Sequence, residues 1–476
     1  MSELTLFNVL AVASIVLAVV AACHIVLTKE DVRSAVAWTG LVFLSPFVGS
    51  IVYVILGVNR IHREASKLKK KKGQTEVFDL LIDGKASPTQ MEPHVRQMYL
   101  LGHKVHPDGF VNGNSVMPLV NGDQAFPAML DSIGKAKTSI ALMTYIFDRD
   151  KSGLKFVEAL AAAKRKGVKI YVLIDDVGIK YSKPPIDKEL SQAGISTGRF
   201  MPTRALRFWR FVNLRNHRKI LLIDGEYAFI GGMNIRHGNV LGDNPDHPIQ
   251  DIHFHVRGPV IDQMNKIFEE DWHFATGQQI SLPVWPGTTD PESRQVLARV
   301  VPDGPDTDMQ KLQWLFLGAL ACAQRSVRIT TPYFLPDEVM TRALQLAALR
   351  GVSVEILIPE KSNLFGFDWA MEPDFKRLIE SGVKIYRTPS PFDHSKILVS
   401  DDGWCSVGSC NWDARSFRLN FECNLECVSP ELARQLNLVF AEKRKRARQV
   451  TVDMVQSRSV GIRIRNRVAR LLSPYL

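Results

Sequence analysis

"HRKILLIDGEYAFIGGMN" runs from His217 to Asn234, and "HSKILVSDDGWCSVGSCN" runs from His394 to Asn411. Both read H-x-K-x-x-x-x-D, with Gly seven residues past the Asp and Asn three further on. One such match is weak in a chain of 476 residues. Two, each carrying the same Gly and Asn, mark a repeated unit.

The repeat extends upstream. "TSIALMTYIF" at Thr138–Phe147 aligns with "RSVRITTPYF" at Arg325–Phe334, and "RKGVKIYVLID" at Arg165–Asp175 aligns with "LRGVSVEILIP" at Leu349–Pro359. Each unit reads as helix, apolar strand, helix ending in Gly, apolar strand. The copies stand about 185 residues apart, so the unit is a whole domain. Continuous apolar strands between helices predict an α/β fold with a largely buried sheet.

On a strand, residues i and i+2 share a face. The spacing therefore points His217 and Lys219 one way, and likewise His394 and Lys396, while the apolar residues behind them hold the strand rigid. Asp224 and Asp401 fall where turns begin ("DGE", "DDG"); they either cap those turns or join the site. Gly232 and Gly408 bring Asn234 and Asn411 back as neutral donors. Two His, two Lys and two Asn converging across a pseudo-twofold suit a tetrahedral anion, namely phosphate. One His can attack phosphorus and the other protonate the leaving oxygen. Asp251 in "QDIHFHVRG" and Glu422 in "LNFECNLE" are the available acids for orienting each Nδ1. No carboxylate cluster suited to a divalent ion accompanies the motifs, so no metal or cofactor is expected and the lysines neutralise charge.

The net charge is +11, and it lies at the ends: residues 1–75 carry +5, residues 442–476 carry +8, and the body carries −2. That distribution favours a membrane surface over a nucleic-acid face. Leu4–Thr28 and Ala35–Val58 are two apolar runs, each long enough to span a bilayer. Two Lys/Arg lie in the turn between them and seven follow within residues 60–72. The positive-inside rule then predicts a hairpin with the remainder cytoplasmic. The basic–aromatic stretch Arg204–Arg215 and the tail "SVGIRIRNRVARLLSPYL" suit an anionic lipid interface, single-stranded nucleic acid, or a plain solvated helix. The six cysteines contain no C-x-x-C pair and read as buried thiols in a reduced compartment.

The duplicated H-x-K-x4-D with its G-[SG]-x-N resembles the phospholipase D superfamily. "NLRNHRKILLIDGEYAFIGGMNI", "DWHFATG", "DARSFRLNFECN" and the hairpin "AWTGLVFLSPFVGSIVYVILGVNR" resemble bacterial cardiolipin synthases over nearly the whole chain. The resemblance implies two phospholipase D-like α/β sandwich domains related by a pseudo-twofold, behind an N-terminal transmembrane hairpin. It implies boundaries of 1–62 for the hairpin, 63–110 for a basic linker, 111–290 and 291–445 for the two domains, and 446–476 for an amphipathic tail.

The implied roles are His217 as nucleophile and His394 as general acid and base. Lys219, Lys396, Asn234, Asn411 and Arg215 would hold substrate, Asp251 and Glu422 would support the histidines, and Asp224 and Asp401 would complete the catalytic set with the histidines and lysines. The implied reaction condenses two phosphatidylglycerols into cardiolipin and glycerol at a membrane. A hydrolase, a nuclease and a silent lipid-binding protein are the rival readings. Gly232 and Gln250 depart from the commoner Ser and Arg of the family.

Overall fold

A computed structural model describes residues 3–29, 31–57, 92–202, 213–287, 296–306, 308–471 and 473. The basic run Lys67–Lys72 and the stretch from Arg204 to Phe211 lie outside these residues. The chain divides into two compact units, Met1–Glu76 and Val77–Leu476.

In the first unit, Glu3–Thr28 is one helix of 26 residues, about 39 Å long at the usual rise. Within it Ala11–Thr28 has a mean hydropathy of 2.5, enough by length and composition to cross a membrane. The second apolar run is not one straight helix. Val32–Leu44 ends at Ser45, Pro46–Val52 follows with Pro in its first turn, and Tyr53–Gly57 widens into a π-helical turn. Pro46 supplies no N–H and favours a helix start, which puts the break there. Gly49 packs directly on the Leu41 carbonyl, where a side chain would clash. Ala18, Ala21, Ile25, Val42 and Tyr53 form a small core, and the Tyr53 hydroxyl meets His24 Nδ1 at 2.7 Å.

The second unit is built on one sheet whose two halves repeat. In the first half β1 is Val111–Val120, β2 Ser139–Thr144, β3 Lys169–Asp175, β4 Ser196–Phe200, β5 Ile220–Ile223, β6 Tyr227–Gly231 and β7 Ile252–Arg257. In the second, β8 is Val296–Asp303, β9 Ser326–Thr330, β10 Ser353–Pro359, β11 Lys384–Thr388, β12 Ile397–Ser400, β13 Trp404–Gly408 and β14 Asn420–Val428. The order across the sheet is β4-β3-β2-β5-β6-β7-β1-β8-β14-β13-β12-β9-β10-β11. Outward from the antiparallel β1–β8 pair both halves run in the same sequence, which is the predicted pseudo-twofold. Buried Asn114 donates to the carbonyls of Val111 (2.7 Å) and Val296 (3.0 Å), closing the irregular central seam.

Both faces of each half are covered. Ile170, Val172 and Ile174 of β3 join a core with Phe126, Phe156 and Leu160 of the helices Asn121–Lys135 and Lys151–Arg165. Tyr171, pointing to the other face, meets Trp272 of Ile261–Thr276. In β10, Val354, Ile356 and Ile358 join a core with Phe316 and Leu344, while Glu355 on the opposite face bonds Arg444 of Pro430–Lys445. The expectation of a linker over 63–110 fails for its described end. Pro93–Val105 is a helix whose Met98 joins the second core with Leu101 and Val105 packed against it, because these residues fall on one helical face.

Candidate active site

The two H-x-K segments sit just before β5 and β12, outside the strands themselves. Each is stitched onto the opposite half. Arg215–Asn216 pairs in parallel with Asn420–Phe421, and the His217 N–H donates to the Phe421 carbonyl at 2.8 Å. Phe392–Asp393 pairs in parallel with Ile249–Gln250, and the His394 N–H donates to the Gln250 carbonyl at 2.8 Å. In both cases the next residue on the partner segment is the acid. The acids therefore cross the pseudo-twofold: His217 Nδ1 meets Glu422 Oε2 at 3.0 Å, and His394 Nδ1 meets Asp251 Oδ2 at 2.9 Å. A carboxylate on Nδ1 holds the proton there and leaves Nε2 as the basic, nucleophilic nitrogen.

Lys219 Nζ folds back to the His217 carbonyl at 2.5 Å, and Lys396 Nζ makes the same bond to the His394 carbonyl. Both lysines are buried. Aromatic rings wall the site. Tyr145 packs edge-on against His217 with centroids 5.4 Å apart and lies 5.5 Å from Lys219 Nζ; Tyr333 packs edge-on against His394 at 6.3 Å. The tyrosines were not singled out by sequence reasoning. Each follows an apolar strand within two residues of a Thr, which is the only local signal.

The two histidine–acid pairs are not equivalent. Glu422 also accepts from Ser409 Oγ at 2.5 Å and Asn420 Nδ2 at 3.0 Å. Burial would raise its carboxyl, but His217, Lys219 and Ser409 hold it below the usual glutamate range. Gly232 replaces that serine in the first copy. A Cβ there would lie 2.9 and 3.0 Å from the Asp251 carboxylate oxygens, which explains the departure seen in the motif. Without the hydroxyl, burial pushes Asp251 up to about 6 against the pull of Lys396 and the Ile252 N–H.

Burial lowers His217 to about 4 despite Glu422, and burial with Lys396 and Lys219 holds His394 well below the ordinary histidine value. Burial also lowers Lys396 to about 8 and Lys219 well below its usual range. Buried cations crowded in this way are short of negative charge, and a phosphodiester anion supplies it.

Arg218, between His217 and Lys219, is a further residue missed from sequence. It points away from the histidine, bonding Asp271 at 2.7 Å and the carbonyls of Glu422 (2.9 Å) and Asp303 (3.2 Å). It thereby clamps the first motif to β14 and β8 of the other half. The one signal was the Arg/Ser difference between "HRK" and "HSK". Arg215 is buried beside Asp175, with Nη1 at 4.0 Å and otherwise unpartnered among the described residues. His253 is also buried, two residues past Asp251, with Nδ1 likewise unpartnered. The Asn234 side chain accepts from the Ile146 N–H at 3.1 Å, and Asn411 bonds Ser416 Oγ at 3.2 Å, so both asparagines brace loops at the site.

Asp224 and Asp401 do not join them. Each lies seven residues past its His, about 20 Å away along an extended chain. Asp224 accepts from the N–H groups of Lys137, Thr138 and Ser139 at 2.7–2.8 Å. Asp401 accepts from those of Gln324, Arg325 and Ser326 at 2.6–2.8 Å. Both sit at positive φ, 55° and 51°, in tight turns. Their role is to pin the start of β2 and β9, and the expectation that they act in catalysis is corrected.

The site's surroundings match known proteins. A family described as "Cardiolipin synthase, PLD-like domain" matches residues 129–272 and 316–444, and one described as "Phospholipase_D-nuclease N-terminal" matches residues 16–57. The cardiolipin synthase of Geobacillus kaustophilus (strain HTA426) is 32% identical over 484 residues, covering 99% of this chain and 94% of the relative. Cardiolipin synthase A of Pseudomonas putida is 32% identical over 479 residues, covering 97% and 96%. Among solved structures, a phosphatidylserine synthase of Haemophilus influenzae Rd KW20 superposes with a TM-score of 0.63 at 14% identity, over 80% of this chain and 100% of that one, and so shares the fold. The chain belongs to the cardiolipin synthase family of phospholipase D-like proteins.

Proposed function

We propose that the protein is a membrane phosphatidyltransferase that condenses two phosphatidylglycerol molecules into cardiolipin and glycerol. The observation that carries the chemistry is the pair of histidines, each braced at Nδ1 by the other half's carboxylate and flanked by a buried lysine. His217 Nε2 attacks phosphorus, the bond from phosphorus to the glycerol oxygen breaks, and glycerol leaves with a proton from the His394–Asp251 pair. A second phosphatidylglycerol then loses a hydroxyl proton to His394 and its oxygen attacks phosphorus. The P–N bond breaks, giving cardiolipin and free His217. The inequivalent acids support this division of labour. Glu422, held ionised, keeps His217 oriented as a base, whereas Asp251 near 6 belongs to a pair able to hold and release a proton around neutrality.

Donors on Lys219, Lys396 and Arg215 would hold the phosphate oxygens, and the apolar N-terminal helix would keep the enzyme at its substrate. The charge bias across the hairpin favours a cytoplasmic catalytic unit. A reporter fused after Leu476 then reads as cytoplasmic, and a periplasmic signal would contradict that orientation.

The pH dependence follows from Lys396. Its folded value is about 8, so its charge is present below that pH and lost as pH rises through it. Phosphodiester binding is expected to fall on the alkaline side with a midpoint near 8, and kcat/KM profiles should show Lys396→Arg moving that limb upward. A profile unchanged by Lys396→Arg would contradict the role given to the lysine.

Transferase and hydrolase share the first step and differ in what reaches the intermediate. An oriented acceptor has an effective molarity of about 10⁵ M or more, against roughly 55 M for water, so a positioned lipid hydroxyl wins. Phosphatidylglycerol vesicles should give cardiolipin and glycerol, without added divalent ions, and added glycerol should suppress net synthesis. Phosphatidic acid as the dominant product in intact bilayers would establish the hydrolase instead.

A further inference from the structure

The last helix, Val460–Leu471, is held on the second domain by a face that joins polar anchors to Ala469, which packs against the second core. Asn466 is buried and bonds Glu372, and Arg470 reaches Asp374 at 2.5 Å and the Pro336 carbonyl at 2.7 Å. At 3.6 residues per turn, Val460, Ile464, Val468 and Leu471 form a stripe on nearly the opposite side. They are 69%, 59%, 54% and 77% exposed. Arg463 and Arg467 flank the stripe on one side and Arg465 on the other. A surface helix normally turns such a stripe inward, whereas here Ala469, Asn466 and Arg470 face the domain and the stripe stays outside.

Two features beside the helix match it. A cleft of about 410 Å³ opens between this helix and the second domain, lined by Lys376, Arg458, Arg463 and Arg467 with Glu372 as its one acid. Arg465 lies 4.2 Å over the Trp369 ring, whose neighbour Phe365 is 87% exposed and Leu364 40% exposed. The same loop runs into the active site: Asn363 accepts from the Tyr333 hydroxyl at 2.6 Å, and Tyr333 packs on His394.

We propose that this helix and the Leu364–Phe365 loop form an interfacial docking surface for an anionic phospholipid bilayer, with the basic cleft taking lipid phosphate. The apolar stripe enters the acyl boundary while the flanking arginines stay at headgroup level, as in amphipathic helices that lie in the membrane plane. The loop then sets Tyr333 and His394 at a defined height above the bilayer. This deepens the lipid-transfer reading on which it rests, because a soluble substrate would need no such surface. A second copy of the chain would be the other way to cover the stripe. The arginines on both flanks favour an anionic surface, since a twofold contact would bring like charges together.

The test uses the full-length protein reconstituted in vesicles, with a fluorophore on Val468→Cys in a Cys23→Ser, Cys322→Ala background; the other four thiols are buried. In phosphatidylglycerol vesicles, nitroxide placed near the headgroup end of the acyl chain should quench the label at least about twofold, and phosphatidylcholine vesicles much less. Arg463→Gln with Arg467→Gln should shrink that difference. A label that stays accessible to aqueous iodide in both vesicles, or one shielded from iodide yet unquenched by lipid, would overturn the proposal. Quenching needs no turnover, so a failure of the transferase reading would appear separately, as absence of cardiolipin.

Discussion

His217→Ala and His394→Ala each lower turnover of phosphatidylglycerol by at least about 10³-fold, with vesicle binding unchanged. The effect is large because the two rings perform different halves of one displacement and neither can cover for the other. Without His217 there is no nitrogen to accept the phosphatidyl group. Without His394 the glycerol oxygen must leave as an alkoxide. The two mutants differ on an activated substrate. When the leaving group needs little protonation, as with a phenol, His394→Ala recovers much of its first-step rate and His217→Ala recovers none. Lipid mass spectrometry and release of the activated group measure the two cases. Near-normal synthesis by either single mutant would remove the two-histidine mechanism.

Glu422→Gln and Asp251→Asn each cost about 10²-fold or more, because an amide on Nδ1 favours the wrong tautomer and loses the charge that stabilises the imidazolium. The crossed contacts make a sharper prediction. Glu422 serves His217 and Asp251 serves His394, so the activated substrate should rescue Asp251→Asn and leave Glu422→Gln slow. Pairing within each half would give the reverse, with Glu422→Gln rescued. Stopped-flow release of the leaving group from the two variants distinguishes the arrangements.

Much of this site was legible from spacing alone. The H-x-K pairs and their asparagines are local patterns, repeated in register, and repetition separates them from chance; the acids Asp251 and Glu422 follow their histidines at unequal distances, 34 and 28 residues. The alternation of apolar strands and helices was equally local, so the α/β fold and its duplication could be read directly. What could not be read depends on contacts between distant segments. The crossing of Glu422 and Asp251 follows from two short parallel pairings, Arg215–Asn216 with Asn420–Phe421 and Phe392–Asp393 with Ile249–Gln250, which bridge the halves and leave no trace in local pattern. Asp224 and Asp401 belong to the repeated string yet serve the backbone, and only the amide groups of the preceding loops reveal it. Arg218 was visible as a difference between the copies, but its partners Asp271 and Asp303 lie far along the chain. The helix Pro93–Val105 was hidden by the charge-rich segment before it, which made the whole region read as linker.

The most direct test is to trap the covalent intermediate. His394→Ala and His217→Ala proteins would each be mixed with a phosphatidyl ester of an activated leaving group, quenched under alkaline conditions that preserve phosphohistidine, and mapped by peptide mass spectrometry. The mechanism predicts a phosphatidyl adduct on His217 in the His394→Ala protein and none in the His217→Ala protein. An adduct on His394 in the His217→Ala protein, with none on His217 in the other, would contradict it.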